Sequence, residues 1–369
     1  AILMGMATNC EIERRSIIAR KHYFYPDLPK GYQISQYEAP ICVNGWLDVS
    51  FEGETGPQTT RIGITRIHIE EDAGKSIHDH DPYATLIDVN RCGVPLLEIV
   101  SEPDIRSAKE AAAYLQNIWQ LVRWLGICDG NMEEGSLRCD ANVSIRHVGD
   151  TQLGTKAEIK NMNSFRNVER AIEAEIARQI NIVSSGGHII QETRLWDTVK
   201  LETRSMRSKE RAHDYRYFPD PDLPPIVVSD EILRQISESL PELPHIRRLR
   251  FITDWGLPAY DAQLLTGDRA IADYLEQTVS AVNAPDGTTL QDRAKAVSNV
   301  MMSYVLRLLN EENTGISGFR VTPERLAGLV SLRMADKVSS TGAQEIFSLL
   351  LTSSETAEEL AMTHKLLQV

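Results

Sequence analysis

The sequence predicts an α+β protein, with a domain of mixed or antiparallel sheet followed by an all-helical domain. Three observations carry this reading. Up to Val228, strand-like and helix-like segments interleave without a strict βαβ rhythm. Two long amphipathic helical stripes stand inside that half. From Ser229 the pattern is almost entirely helical, punctuated by Pro241, Pro244, Pro258, Pro285 and Pro323. The expected domains are 1–228 and 229–352, with a short final stretch at 353–369.

In chain order, Ala1-Ile2-Leu3-Met4-Gly5-Met6-Ala7 is apolar but short and has no basic stretch before it, so it reads as helix and not as a signal peptide. Residues 45–51 and 61–65 flank Gly53-Glu54-Thr55-Gly56 and read as a hairpin with a glycine-rich turn. Ser107 and Glu110 have capping-box spacing ahead of the stripe Ala111, Tyr114, Leu115, Ile118, Leu121, Val122 and Leu125, which Gly126 ends. Residues 137–146 alternate apolar and polar, placing Arg138, Asp140 and Asn142 in line on one strand face. Asn163 or Ser164 caps a second helix, stopped by Gly186-Gly187. Helices are expected beyond that at 231–240, 246–255, 269–282, 291–310, 323–334 and 343–351, with a short one in the final stretch.

At 369 residues, 42% apolar and 25% charged, the chain has material for packed domains, and its composition argues against disorder. No apolar run approaches the roughly 18–20 residues that a bilayer span needs. The five cysteines are odd in number, widely spaced and lack a Cys-x-x-Cys pair, which argues against a disulfide framework or a zinc knuckle and for a reducing, cytoplasmic compartment. A net charge of −13 argues against a general nucleic-acid coat and suits a binder of cations.

The chemistry concentrates between Arg61 and Asn142. Glu98 interrupts the apolar run Val94-Pro95-Leu96-Leu97-Glu98-Ile99-Val100. A carboxylate buried there needs a cation or a basic partner such as Arg91 or Arg66. Glu70-Glu71-Asp72 ends a strand in which Arg66, His68 and Glu70 would share one face and Ile67, Ile69 and Glu71 the other, unless a bulge intervenes. A divalent ion would relieve the repulsion in that triple; a solvated acidic turn is the competing reading. Gly74-Lys75-Ser76 resembles the end of a phosphate loop, but Ile69 stands where the earlier glycine belongs, so a Walker loop is rejected. Glu71, Glu98 and Asp140 together form an oxygen-rich set suited to Mg2+, and Lys75 can meet a phosphate as a point charge. Residues 20–27 and 214–220 mix basic and aromatic side chains that could clamp a nucleotide or simply pack a corner. Lys156 and Lys160 are further phosphate candidates, and Cys139 reads as packing.

Ile87-Asp88-Val89-Asn90-Arg91-Cys92-Gly93-Val94-Pro95-Leu96-Leu97-Glu98-Ile99-Val100-Ser101-Glu102-Pro103-Asp104 resembles the signature of the GatB family, one of the component chains of the tRNA-dependent amidotransferases. The likeness extends to Tyr23-Phe24-Tyr25-Pro26-Asp27-Leu28-Pro29-Lys30-Gly31-Tyr32-Gln33, to 68–76, 133–142 and 214–219, and to Gly256-Leu257-Pro258-Ala259-Tyr260-Asp261-Ala262.

The resemblance implies an α+β cradle that uses ATP and Mg2+ to phosphorylate the side-chain carboxylate of Glu-tRNA(Gln) or Asp-tRNA(Asn). Ammonia from the partner amidase then displaces phosphate, and a small third component wraps the pair. It also implies that Glu71, Glu98 and Asp140 are metal-site and catalytic residues, with Lys21 and Tyr25 near the same pocket. An acyl phosphate gives ammonia a good leaving group that a carboxylate lacks, and the charge developing on ATP needs spreading, for which Lys75, Arg91 and Arg138 are the candidates. The family's opening strand with Gly-Leu-Glu-x-His and the four-cysteine zinc knob of many members do not occur here. The chain is therefore expected to be cut at both ends, with 353–369 the start of a tail domain and the metal site incomplete. Two other readings stand beside this one: a non-catalytic module that docks tRNA and the partner amidase, and a magnesium-dependent phosphohydrolase.

Overall fold

Alternating burial along Cys42–Gly53 and Gly56–Glu71 sends Leu47, Val49, Ile62, Ile64 and Ile67 into a core and closes the two strands into an antiparallel hairpin that ends at the Gly53–Gly56 pair. The structure, a computed structural model, describes residues 1–368 apart from 54, 78–80, 82 and 209–214. The expected turn residue Glu54 lies outside the described residues, as does Asp214 of the second aromatic–basic motif. The chain divides into two units, Ala1–Pro241 and Glu242–Val369. That division falls later than the change of texture at Val228, because the helix Asp230–Ser239 packs on the helix Ile2–Ala7 and Asp230 pairs with Arg14.

In the first unit the hairpin is flanked by Glu11–Ile12 on one side and Pro95–Ser101 on the other, all antiparallel. A second, mixed sheet runs Ala141–Val143, Ala157–Lys160, Glu192–Asp197, Glu202–Ser208. Its parallel pair is joined through the helix Phe165–Ser184, the crossover that parallel strands require. That helix packs on Ala108–Trp124, burying Leu115, Ile159, Val168 and Trp196 between helices and sheet.

Both helix starts are capped as the sequence suggests, with one refinement each. Ser107 Oγ accepts from Glu110 N at 3.2 Å, while the Glu110 carboxylate reaches back to Arg106 N instead of Ser107 N. Ser164, not Asn163, caps the second helix by accepting from Asn167 N.

The strand expected over 137–146 shortens to Ala141–Val143. Asn131 is the reason: its carbonyl accepts from Ser136 N and its side chain accepts from Glu133 N and Glu134 N, curling the preceding segment into a turn. Arg138, Asp140 and Asn142 therefore do not line one strand face. Three small sheets complete the unit. Phe218–Pro219, Ala19–His22 and Tyr32–Ser35 form one, Ile226–Val227 with Arg15–Ser16 a second, and Lys75–Ile77 with Leu86–Asp88 a third.

The second unit is helical throughout: Pro244–Thr253, Ala259–Leu265, Arg269–Ala281, Leu290–Val300, Leu306–Glu312, Pro323–Met334, Ser340–Leu350 and Ala357–Thr363. The helix expected over 291–310 is interrupted by a π-helical turn at Met301–Val305. Ala259–Leu265 was not foreseen, because Pro258 reads as a breaker and here serves as the residue before the first turn. The stretch 353–369 belongs with this unit. Its helix carries a Thr356–Glu359 capping box and packs on Pro323–Met334 and Ser340–Leu350, and Leu367 bridges to Val338. Among the described residues no helix is long and apolar enough to cross a membrane.

Candidate functional site

A bulge decides which acidic residue meets Glu98. The pairing of Gly56–Glu71 with Pro95–Ser101 shifts register between Ile64 and Arg66, and beyond it the strand alternates regularly, with His68 opposite Glu98. Arg66, His68 and Glu70 therefore share a face with Glu98, and Glu71 turns to the other.

His68, Glu70 and Glu98 are the one group of three His, Cys, Asp or Glu residues among the described ones whose ligand atoms all lie within 4.8 Å of one another. His68 Nε2 stands 3.2 Å from Glu70 Oε1 and 3.8 Å from Glu98 Oε2. Arg66 Nε donates to His68 Nδ1 at 3.3 Å, which assigns the ring proton to Nε2, facing the carboxylates.

Glu70 is buried, and the strand Tyr32–Ser35 supplies its other partners: Ser35 Oγ donates to Oε1 at 2.7 Å and Gln33 Nε2 to Oε2 at 3.2 Å. Burial pushes the Glu70 carboxyl up. The His68 hydrogen bond, the nearby Lys21 charge and the Ser35 hydrogen bond outweigh it and hold the carboxyl below the usual range. Glu98 is not the buried charge its apolar run suggested. Pro95–Ser101 is an edge strand, and the Glu98 side chain is 47% exposed. Arg91 and Arg66, its expected partners, engage Asp72 and His68 instead.

The three carboxylates read from the sequence are thus not gathered; only Glu98 stands in the cluster. Glu71 Oε1 accepts from Ile34 N at 2.8 Å and pairs with Lys30. Asp140 lies at the start of the second sheet, where Lys160 Nζ donates to its Oδ2 at 2.8 Å. Lys160, expected as a phosphate contact, is held by that pair and by Glu158 at 3.5 Å. Arg138 and Arg91 both reach the buried Asp72, at 2.8 and 3.0 Å.

Lys75 is exposed on its short strand. Gly74 before it is needed for close approach and not for phosphate, since a Cβ there would lie 2.8 Å from Asp88 O and 3.0 Å from Asp27 O. Tyr25 is half exposed on the wall of a shallow cavity of about 290 Å³ formed with Phe24, Pro26, Leu28, Pro29 and Gly31.

Residues 1–234 match the model of the GatB/GatE catalytic domain, and 273–369 match that of the GatB domain. The chain is 58% identical over 369 residues to the GatB chain of the aspartyl/glutamyl-tRNA(Asn/Gln) amidotransferase of Chlorobaculum tepidum, covering 100% of this chain and 75% of the relative. The corresponding chain of Salinibacter ruber is 54% identical over 377 residues, covering 100% and 74%. The chain belongs to the GatB family.

In this GatB-family chain the two aromatic–basic motifs converge on the acidic cluster. Lys21 pairs with Gln33 across strands, and its Nζ lies 5.0 Å from the centre of the Tyr215 ring and 6.0 Å from that of Tyr23. The Tyr23 hydroxyl is pushed up to about 12 by burial, with Asp27 and Glu70 adding to it. Tyr217, stacked on Tyr37 at 4.5 Å, is raised by burial and then by Glu70 and Glu98.

Sequence reasoning did not assign His68, Glu70, Asp72 or Tyr217 individually to the site, although the last three lie in the acidic triple and the aromatic–basic motif it singled out. For the first two the signal was present in the alternation 66–68–70, which needed only the position of the bulge. For Asp72 and Tyr217 the signal is tertiary, since their partners come from distant segments.

Proposed function

We propose that the chain is the transamidating component of a glutamine-dependent tRNA amidotransferase, a ligase that forms a carbon–nitrogen bond. ATP phosphorylates the side-chain carboxylate of Glu on tRNA(Gln), of Asp on tRNA(Asn), or of both, and ammonia from a partner amidase displaces the phosphate. A small third component completes the assembly, which works in the cytoplasm. The observation that carries this reading is the juxtaposition along 66–72 of an acid-rich face, His68–Glu70–Glu98, with two guanidiniums gathered on Asp72.

The donor set fits a divalent cation by its chemistry. Two carboxylates share one face, one of them half exposed, with hydrogen bonds to Glu70 from His68, Ser35 and Gln33 and the Lys21 charge nearby. His68 fits the role of hydrogen-bond donor to Glu70 better than that of ligand, because Arg66 occupies Nδ1 and leaves the proton on Nε2. Glu70 and Glu98 are the residues that would hold Mg2+, and when bound the ion would supply charge neutralisation for the triphosphate.

The chain's own residues do the rest. Ser35 and Gln33 fix the Glu70 carboxylate, and Lys21 sits where an anionic acyl group could be steered toward the cluster. The half-exposed Tyr25 and the exposed Phe24 offer stacking faces to a base. Lys75, exposed beyond the acidic triple, and the Arg138 guanidinium beside Asp72 spread developing phosphate charge.

The test uses the amidotransferase assembled with its partner chains. Glu98→Gln should abolish ATP-dependent transamidation of mischarged tRNA and leave glutamine hydrolysis running. Full transamidation by Glu98→Gln would remove the cluster from the chemistry, and equal loss of both activities would point to failed assembly.

A further inference from the structure

We propose that Asp72 is a positioning residue that divides two arginines between two tasks: Arg91 fastens the 133–136 turn, and Arg138 presents a guanidinium edge to the phosphoryl group being transferred. The inference rests on the reading of this site as an ATP-using one and deepens it.

Asp72 is buried at 6% exposure, one residue past the end of the long strand, and its backbone is tied on both sides to the turn carrying Arg91. Asp72 N donates to Val94 O at 2.8 Å, and Gly93 N donates to Asp72 O at 3.0 Å. A buried carboxylate so fixed must be paired, and each of its oxygens takes one guanidinium: Oδ2 takes Arg91 Nη2 at 3.0 Å and Oδ1 takes Arg138 Nη2 at 2.8 Å.

The two arginines then differ. Arg91 uses both terminal nitrogens on backbone, with Nη1 donating to Glu134 O at 2.9 Å and Nη2 to Gly135 O at 2.8 Å. Gly135 is in the left-handed region, φ 77°, and a Cβ there would come within 3.0 Å of Arg91 Nη1, so the turn is shaped around that guanidinium. Arg91 is a bolt between two loops.

Arg138 makes no hydrogen bond other than the one to Asp72 among the described residues, and its side chain is 53% exposed. Anchored at one nitrogen by a fixed carboxylate, it keeps the rest of its planar fork for an anion. It does so beside the strand end that carries Glu70 two residues earlier, about 7 Å along an extended chain.

The test measures ATP-dependent transamidation in the assembled amidotransferase for Arg138→Gln, Asp72→Asn, Arg91→Lys and wild type, with thermal midpoint and glutamine hydrolysis alongside. Arg138→Gln should lower kcat/KM for ATP by roughly 10²-fold, the loss of one positioned donor, at unchanged thermal midpoint. Asp72→Asn should shift the same constant in the same direction by less, since the amide still accepts one hydrogen bond but no longer holds both cations. Arg91→Lys should lower the thermal midpoint more than Arg138→Gln does, because an ammonium cannot span Asp72 and two carbonyls. Wild-type kcat/KM for ATP in Arg138→Gln, or an Asp72→Asn variant altered only in thermal midpoint, would overturn the assignment. A wild-type complex that neither binds nor uses ATP would instead overturn the functional reading and this inference with it.

Discussion

Two buried glutamates of the first unit, Glu70 and Glu175, hold their charge in opposite ways. Glu175, fully buried on the helix Phe165–Ser184, accepts from Arg178 Nε and Nη2 at 2.9 and 2.7 Å, from Gln179 Nε2 at 2.8 Å and from Thr203 Oγ1 at 2.9 Å. Arg194 Nε stands 3.4 Å away. Two guanidiniums saturate it. Glu70 is buried too, yet its hydrogen bonds come from a hydroxyl, an amide and an imidazole, and the acid Glu98 shares its face. Burial raises both carboxyls and their partners more than offset it, so both are held below the usual range. What separates them is what else could be satisfied there. Glu175 leaves nothing for a ligand to complete, whereas on the Glu70 face, where Lys21 is the nearby cation, the half-exposed Glu98 carboxylate stays open to one more.

The comparison breaks if the two glutamates respond alike to removal of charge. Glu70→Gln should cost transamidation on the order of 10²–10³-fold while lowering the unfolding midpoint less than Glu175→Ala does, because the amide oxygen still accepts from Ser35 and His68. Glu175→Ala should do the reverse. It leaves the Thr203 hydroxyl without its acceptor and takes a partner from Gln179 and Arg178, while Arg194 keeps Glu192 and Thr203, and should cost about 1–3 kcal/mol by urea unfolding, with the kinetic constants of the folded protein intact. The pH dependence does not separate the two, since both carboxyls are held below the usual range. A carboxyl held below its unfolded value of about 4.3 contributes stability that is present above that pH and is lost as pH falls through the lowered folded value. Glu175→Gln should therefore flatten the acid limb of the stability curve, and a limb as steep as the wild type's would show that the network does not supply it.

The same contrast explains how much could be read from the chain alone. The fold class, the hairpin, both capped helices and the helical second half follow from local rules, because periodicity and caps act over four residues or fewer. The chemistry was legible as a region, and Glu98 as one of its members. The partner of Glu98 was not, since the choice between Glu70 and Glu71 turns on a single bulge near Thr65 that no side-chain pattern announces. Asp72 looked like one more repelling acid in a row of three, and only the return of Arg91 and Arg138 from later loops makes it the buried anchor of two cations. The glycine before Lys75 shows the converse: Gly74-Lys75-Ser76 resembles the end of a phosphate loop that Ile69 already rules out, and the need for the glycine is a backbone crossing of three segments. Gly74→Ala should accordingly cost about 1–3 kcal/mol in stability, since neither carbonyl oxygen in its way can swing aside.

The smallest effect is expected at Asp140, the carboxylate that the resemblance placed in the metal site. Its side chain is 47% exposed and its partner Lys160 is 40% exposed, so the pair is a surface one whose removal should cost no more than about 1 kcal/mol. Burial pushes the Lys160 ammonium down, and Asp140 outweighs that to raise it, which gives Asp140 a local role in keeping the lysine charged. Asp140→Asn should therefore weaken transamidation far less than Glu98→Gln, and Lys160→Met should reproduce its effect, because each breaks the same pair, with Glu158 still 3.5 Å from Lys160 when Asp140 is changed. If Asp140→Asn matched the Glu98→Gln loss while Lys160→Met stayed active, Asp140 would be acting on the reacting groups and not on its lysine. The division between a working acidic face and a neutralised one would then have to be redrawn across both sheets.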